Sequence, residues 1–309
     1  MKRLAFGVAV LMGLGLATSA RADDVRSMSI VTGGTGGVYY PLGGGLANLL
    51  SKYVKGWQAT AEVTGGSVDN LKLVGAERAD VAFAMADASL DAVRAEGKFK
   101  GNKLNLKTLA VLYPNSMHVV TTTSSGIKSV ADLKGKRVST GSQGSATEVM
   151  AFRVLDAAGL DPEKDIDRER LGVAESTNAV KDRKIDAYFW VGGVPTSAVT
   201  DLGATPGLTL QLIDHADLVE KMNAKWGPLY SAGVIKAGAY PGQEVDNKQS
   251  NVWNILVVNE TMPDDVAYDI VKTMFEHKDE WSRSTGPPRR SRWETRWPPI
   301  RRPRSIRGR

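Results

Sequence analysis

The residues best suited to chemistry in this sequence are hydroxyls and glycines placed where strands give way to helices. The first such turn lies in TGGTGGVYYPLGGGLAN, Thr32 to Asn48, directly after the apolar run Met28 to Val31. Gly33, Gly34, Gly36 and Gly37 have no Cβ, so backbone N–H groups there can come close to a bound molecule, while Thr35, Tyr39 and Tyr40 add hydroxyls. A glycine turn that leads into a helix makes an anion site, because the first helical N–H groups lack an intrahelical acceptor and the helix dipole favours negative charge. The same device recurs along the chain. Ser67 and Asn70 follow Gly65-Gly66, Asp87 sits in the turn Met85 to Ala88, Ser142, Gly144, Ser145 and Thr147 follow the strand ending at Ser139, and Gly192, Gly193 and Thr196 precede a further helix.

Each of these residues also has a plainer use. Ser67, Ser145 and Thr147 suit helix N-caps, and one of Tyr39 and Tyr40 is expected to pack in the core. An acid repels an anion, so Asp87 would recognise an ammonium group or cap its helix. Trp190 reads as core. No catalytic constellation emerges. Gly34-Thr35-Gly36 does not extend to G-x-G-x-x-G, since Tyr39 occupies the third glycine position, and no P-loop lysine pattern occurs. Gly141-Ser142-Gln143-Gly144-Ser145 is not the nucleophile elbow G-x-S-x-G. The three histidines, His118, His215 and His277, are scattered, and the absence of cysteine removes disulfides and thiolate metal sites. No enzyme, cofactor or metal site is therefore expected.

Positioning these turns requires a sizeable scaffold, and 309 residues with 42% hydrophobic and 24% charged residues supply one. Lys2 and Arg3 before the apolar run Leu4 to Ala17, followed by Ala20-Arg21-Ala22, read as a secretory signal peptide over residues 1–22. The formal charge of +6 belongs to the ends. Residues 282–309 hold ten arginines, five prolines and one acid, whereas residues 23–281 carry 27 basic and 33 acidic residues. The folded part is thus acidic and argues against nucleic acid as a partner. The Arg/Pro-rich end cannot bury a core and is expected to be disordered; its abrupt onset inside a helical pattern reads as a shifted reading frame in GC-rich DNA.

Apolar periodicity predicts helices over 38–53, 68–77, 148–158 and 263–281, with strands at 58–64, 79–84, 184–190 and 252–259. Two shorter strands, 109–113 and 117–123, flank Pro114-Asn115, and Pro195 is placed at the first position of a helix. Alternating strands and helices imply parallel sheets with the polar turns gathered beyond the strand ends. The chain is expected to form one lobe from 23–115, a second from 116–228, and to return to the first over 229–281, so that two crossings form a hinge.

Seven segments in order carry a family resemblance: TGGTGGVYYPLGGGLA, VTGGSVDNL, ADVAFAMADASLDA, SGIKSVADLKGKRVSTGSQGSATEV, IDAYFWVGGVPTSAV, AGAYPGQEVDNKQ and the helix from Met262 to Trp281. Together they resemble the TAXI-type solute-binding proteins of TRAP transporters. The resemblance implies an α/β, type II periplasmic binding protein-like clamshell, two lobes joined by a two-stranded hinge. It also implies a monomeric periplasmic receptor that captures a small carboxylate such as glutamate or 2-oxoglutarate and delivers it to a sodium-driven TRAP permease. The sequence departs from that family at Met85, where glutamine is frequent, and after Trp281, where the family continues in helical residues. A periplasmic sensor built on the same clamshell is the alternative; an enzyme acting on a small carboxylate is the more distant one.

Overall fold

The computed structural model describes residues 25–283, so the expected signal peptide and the tail beyond Arg283 lie outside the described residues. Its framework is a 10-stranded mixed sheet. Strand β1 (Arg26–Val31) pairs in parallel with β2 (Trp57–Glu62) on one side and β3 (Val81–Met85) on the other. Helices α1 (Tyr39–Tyr53) and α2 (Ser67–Gly75) make the crossovers, and α3 (Ala86–Arg94) follows β3 without a loop. Strand β3 is apolar and fully buried, as a strand covered on both faces must be.

Two long strands join this half to the other. β4 (Leu106–Thr122) and β10 (Asn247–Asn259) pair antiparallel with each other. At one end β10 also pairs with β3 through Asn254 to Val257, and at the other with β9 (Tyr230–Ile235). β4 likewise continues to pair with β7 (Ala187–Gly192), which begins the parallel set β7, β5 (Arg137–Ser139) and β6 (Asp167–Glu169). Helices α4 (Ala146–Ala157) and α5 (Val173–Lys181) serve that set, followed by α6 (Ser197–Gly203), β8 (Leu210–Leu212) and α7 (Val219–Trp226). The chain ends in α8 (Asp264–Glu276) and α9 (Lys278–Arg283).

The expected break at Pro114-Asn115 is absent: β4 runs through it. Pro114 faces Trp253, beside an irregularity between Trp253 and Ile255, where a missing N–H interrupts no regular ladder. The expected single last helix is two, parted at His277, and Trp281 Nε1 donates to the Leu42 carbonyl at 2.8 Å to dock the second piece on α1. Pro195 is not the first residue of α6 but precedes the Thr196 N-cap. β6 and α5 have no counterpart in the sequence expectation: β6 is three polar residues that leave no alternating mark, whereas α5 is a short amphipathic helix that buries Val173, Ala179 and Val180.

Each half has its own apolar core. Ile30, Leu46, Phe83, Leu256 and Ile270 form one around β1, α1 and α8; Tyr188, Val199, Leu202 and Tyr240 form another around β7 and α6. A third cluster links the halves, joining Val68, Met85 and Ala88 to Ala146, Met150 and Val154.

Candidate ligand-binding cleft

Between the halves lies a cavity of about 300 Å³, in the range of small-molecule sites. The N-termini of α1, α2, α4 and α5 all open on it, through Val38–Tyr39, Gly66–Ser67, Ser145–Ala146 and Gly172–Val173. Strand ends supply the remainder: Met85 after β3, Gly141-Ser142 after β5, and Trp190 to Gly192 from β7. Among its lining residues none is lysine or arginine, and Glu175 in the first turn of α5 is the one acid. Val38, Gly66 and Gly172 give no side-chain cap to their helices, while in the first turn of α2 Asp69 N donates to the Gly144 carbonyl at 3.1 Å.

Of the residues singled out by sequence, Tyr39, Ser67, Ser142, Ser145, Thr147 and Gly192 stand on the cavity wall. Several are tied into the frame as well. Ser67 Oγ accepts from Met85 N at 3.1 Å, Ser145 Oγ caps α4 by accepting from Glu148 N at 3.1 Å, and Ser142 Oγ donates to the Gly65 carbonyl at 2.8 Å across the cleft. The Tyr39 hydroxyl donates to Asn254 Oδ1, and burial pushes its pKa well up, so it remains a phenol.

The others lie elsewhere. Thr35 and Tyr40 are exposed and off the wall. The Gly36 carbonyl accepts from Ser197 Oγ at 3.2 Å, and a Cβ on Gly36 would meet Ala174 at 3.0 Å, so this residue seats the first turn against α5. Gly144 has the same bridging use, its carbonyl accepting from Asp69 N at 3.1 Å. Asn70 is fully buried: Nδ2 donates to the carbonyls of Thr32 and Phe83, and Oδ1 accepts from Thr64 Oγ1, which ties the segments after β1 and β2 to the middle of β3. Thr196 is buried too. It donates to the Gly193 carbonyl at 2.7 Å and accepts from Trp190 Nε1 at 2.8 Å, so it orients a ring that does reach the cavity. The expectation that Trp190 is core is therefore corrected. Gly193 packs beside Val38 and Tyr113, off the wall.

Asp87 is off the wall and, of its two expected uses, serves its helix end: Oδ1 accepts from Ala88 N at 2.7 Å in the first turn of α3. Its carboxylate accepts from the Tyr230 hydroxyl at 2.9 Å and lies 3.6 Å from Arg153 Nη1, while Arg153 Nη2 bonds Asp91 at 2.6 Å. Burial raises the Asp87 pKa, opposed by the charge of Arg153 and the bond from Tyr230. The cluster joins α3 to α4 and β9 across the two halves. Sequence reasoning missed Trp190, Asn115, Tyr113, Glu175 and Gly172 on the wall. Asn115 lies at the crossing point expected from sequence, but nothing in a strand pattern says which side chain faces a cleft.

This architecture, a two-halved α/β protein spliced by two long strands with a cleft between, is the type II periplasmic binding protein fold. Similar solved structures include an ancestral arginine-binding protein bound to arginine (12% identity, TM-score 0.51, covering 84% of this chain and 97% of that one). Others are the GluR0 ligand-binding core in complex with L-glutamate (11%, 0.50, 84% and 99%) and a protein from Bordetella bronchiseptica RB50 (18%, 0.51, 85% and 71%). At these identities the likeness concerns the fold. The chain belongs to the NMT1-like family, whose match spans residues 30–293.

Proposed function

We propose that the protein is the periplasmic solute-binding receptor of a TAXI-type TRAP transporter, capturing a small carboxylate such as glutamate or 2-oxoglutarate and passing it to the membrane permease. One observation carries the reading: four helix N-termini converge on a cavity that has no lysine or arginine among its lining residues. Such a site neutralises a carboxylate with oriented N–H groups and partial charges fixed in the fold, which cost no side-chain ordering when the ligand enters. The hydroxyls of Ser67, Ser145 and Thr147 add donors, Ser142 having given its own to the Gly65 carbonyl. The seven-segment resemblance to TAXI receptors supports the choice of transporter, and a neighbouring gene for a large multi-span permease separates this reading from a sensor.

The test is a thermal-shift screen on protein stripped of ligand by unfolding and refolding. A ligand at about 100 times its Kd stabilises by about 2.7 kcal/mol, so glutamate or 2-oxoglutarate is expected to raise the midpoint by several degrees. Their neutral amides and alcohols should not. No shift with any small carboxylate would overturn the proposal.

A further inference from the structure

We infer that the cleft selects small monocarboxylates with an apolar, ring-bearing body over dicarboxylates, and that Trp190 sets this preference; the inference rests on the carboxylate-receptor reading above and makes glutamate and 2-oxoglutarate the weaker members of the ligand class. Charge balance limits the ligand to one carboxylate. Of the four helices that open on the cavity, three carry an acid in the first turn, Asp69 on α2, Glu148 on α4 and Glu175 on α5, and α4 is capped by Ser145 as well. Glu175 stands over the start of its own helix, since a Cβ on Gly172 would lie 2.4 Å from its Oε2. Helix α1 has neither a side-chain cap nor a first-turn acid. Its terminus, equivalent to about half an elementary charge, suits a single carboxylate. A second would need a cation, and Lys98 and Arg170 are paired with Glu148 at 2.9 and 3.3 Å and stand off the wall.

Much of the rest of the wall is apolar. Val38, Met85, Tyr113, Val173, Trp190 and Val191 stand on it, drawn from both halves. Trp190 is half-buried, and its ring lies between two glycines of the wall, Gly37 and Gly192, where a Cβ on either would come within 2.8 Å of it. The indole Nε1 already donates to Thr196 Oγ1 at 2.8 Å, so the surface that Trp190 has left is apolar. A carboxylate placed there would give up its water for no donor in exchange, whereas a ring would bury apolar area and pack on the indole.

Isothermal titration of the ligand-stripped protein with 3-phenylpropanoate, its amide, glutarate, L-glutamate and 2-oxoglutarate tests this. 3-Phenylpropanoate is expected to bind about tenfold tighter or more than any of the three dicarboxylates. Trp190→Leu should weaken 3-phenylpropanoate about tenfold and the dicarboxylates by less than about threefold, whereas Trp190→Phe keeps an aromatic face and should keep the preference. Circular dichroism melts establish that each variant is folded; if the leucine variant is not, the wild-type ranking and the phenylalanine variant decide. A dicarboxylate that binds as tightly as 3-phenylpropanoate, a folded leucine variant that keeps the preference, or a folded phenylalanine variant that loses it overturns the inference while leaving the carboxylate reading intact. If the amide binds as tightly as its acid, or if none of the acids binds, both fall.

Discussion

His118 shows how a residue with no part in the cleft can govern the protein's response to pH. It is fully buried, with Nδ1 2.9 Å from the Ser116 carbonyl and Nε2 2.8 Å from the Tyr240 hydroxyl. Burial lowers its pKa from 6.5 to about 4, outweighing the carbonyl contacts that favour the charged form. A folded-state pKa below the unfolded one means that the unfolded chain takes up the proton first. The stabilisation is complete above about pH 6.5 and is lost as the pH falls toward 4. At about 1.4 kcal/mol per unit the loss is on the order of 3 kcal/mol. Urea unfolding of wild type and His118→Gln at about pH 7.5 and pH 4.5 measures it. The wild type should lose more stability across that interval, and equal losses would remove His118 as the cause. His215 is buried and shifted in the same direction, so a residual dependence is expected in the variant.

At the scale of elements, the turns around Trp190 depend on glycine because the indole occupies the space a Cβ needs. A Cβ at Gly192 would lie 2.5 Å from Trp190 Nε1, and one at Gly37 would lie 2.8 Å from its ring. The ring is therefore clasped between the end of β7 and the entrance to α1, with Thr196 holding its N–H. Gly192→Ala should force the indole off Thr196 and into the cavity. A cost of about 1–3 kcal/mol in stability is expected from the overpacking. Because the displaced ring competes for ligand volume, affinity for the carboxylate proposed above should fall about tenfold or more, with a change in tryptophan fluorescence. Unchanged affinity and emission would show that the cleft tolerates the methyl group.

For the whole molecule, the described conformation is a closed one. Ser142 to Gly65, Asp69 to Gly144 and Ser197 to Gly36 are hydrogen bonds between the halves, and the Arg153 cluster spans them on buried ground. Each bond between neutral groups contributes only about 1 kcal/mol net, so three do not by themselves hold a clamshell shut, whereas a ligand touching both walls adds differential affinity for the closed form. Small-angle scattering of stripped protein should therefore show a smaller radius of gyration once a tight carboxylate is added. A profile that stays the same at saturating ligand would mean that closure precedes binding.

The glycine and hydroxyl turns were legible from sequence because local chemistry writes them: a strand, a residue tolerant of close approach, a cap and an amphipathic run each leave a mark within a few residues. That was enough for the alternating α/β order and for the turns that bring Ser67, Ser142, Ser145 and Thr147 to the cavity wall. It was not enough for Asn70, Thr196 or Asp87, whose amide, hydroxyl and carboxylate groups look equally fit for ligand but are consumed within the protein, Asn70 and Asp87 by the distant Thr32 and Arg153 and Thr196 by its neighbours Gly193 and Trp190. Nor could it find Asn115 or Trp190, since pairing β4 with β10 and β7 decides which face of a strand meets the cleft. Sequence determined the kinds of groups available and the turns that carry them. Only the tertiary structure decided which are already satisfied and which still face an open cavity, because hydrogen-bond saturation is a property of the packed chain.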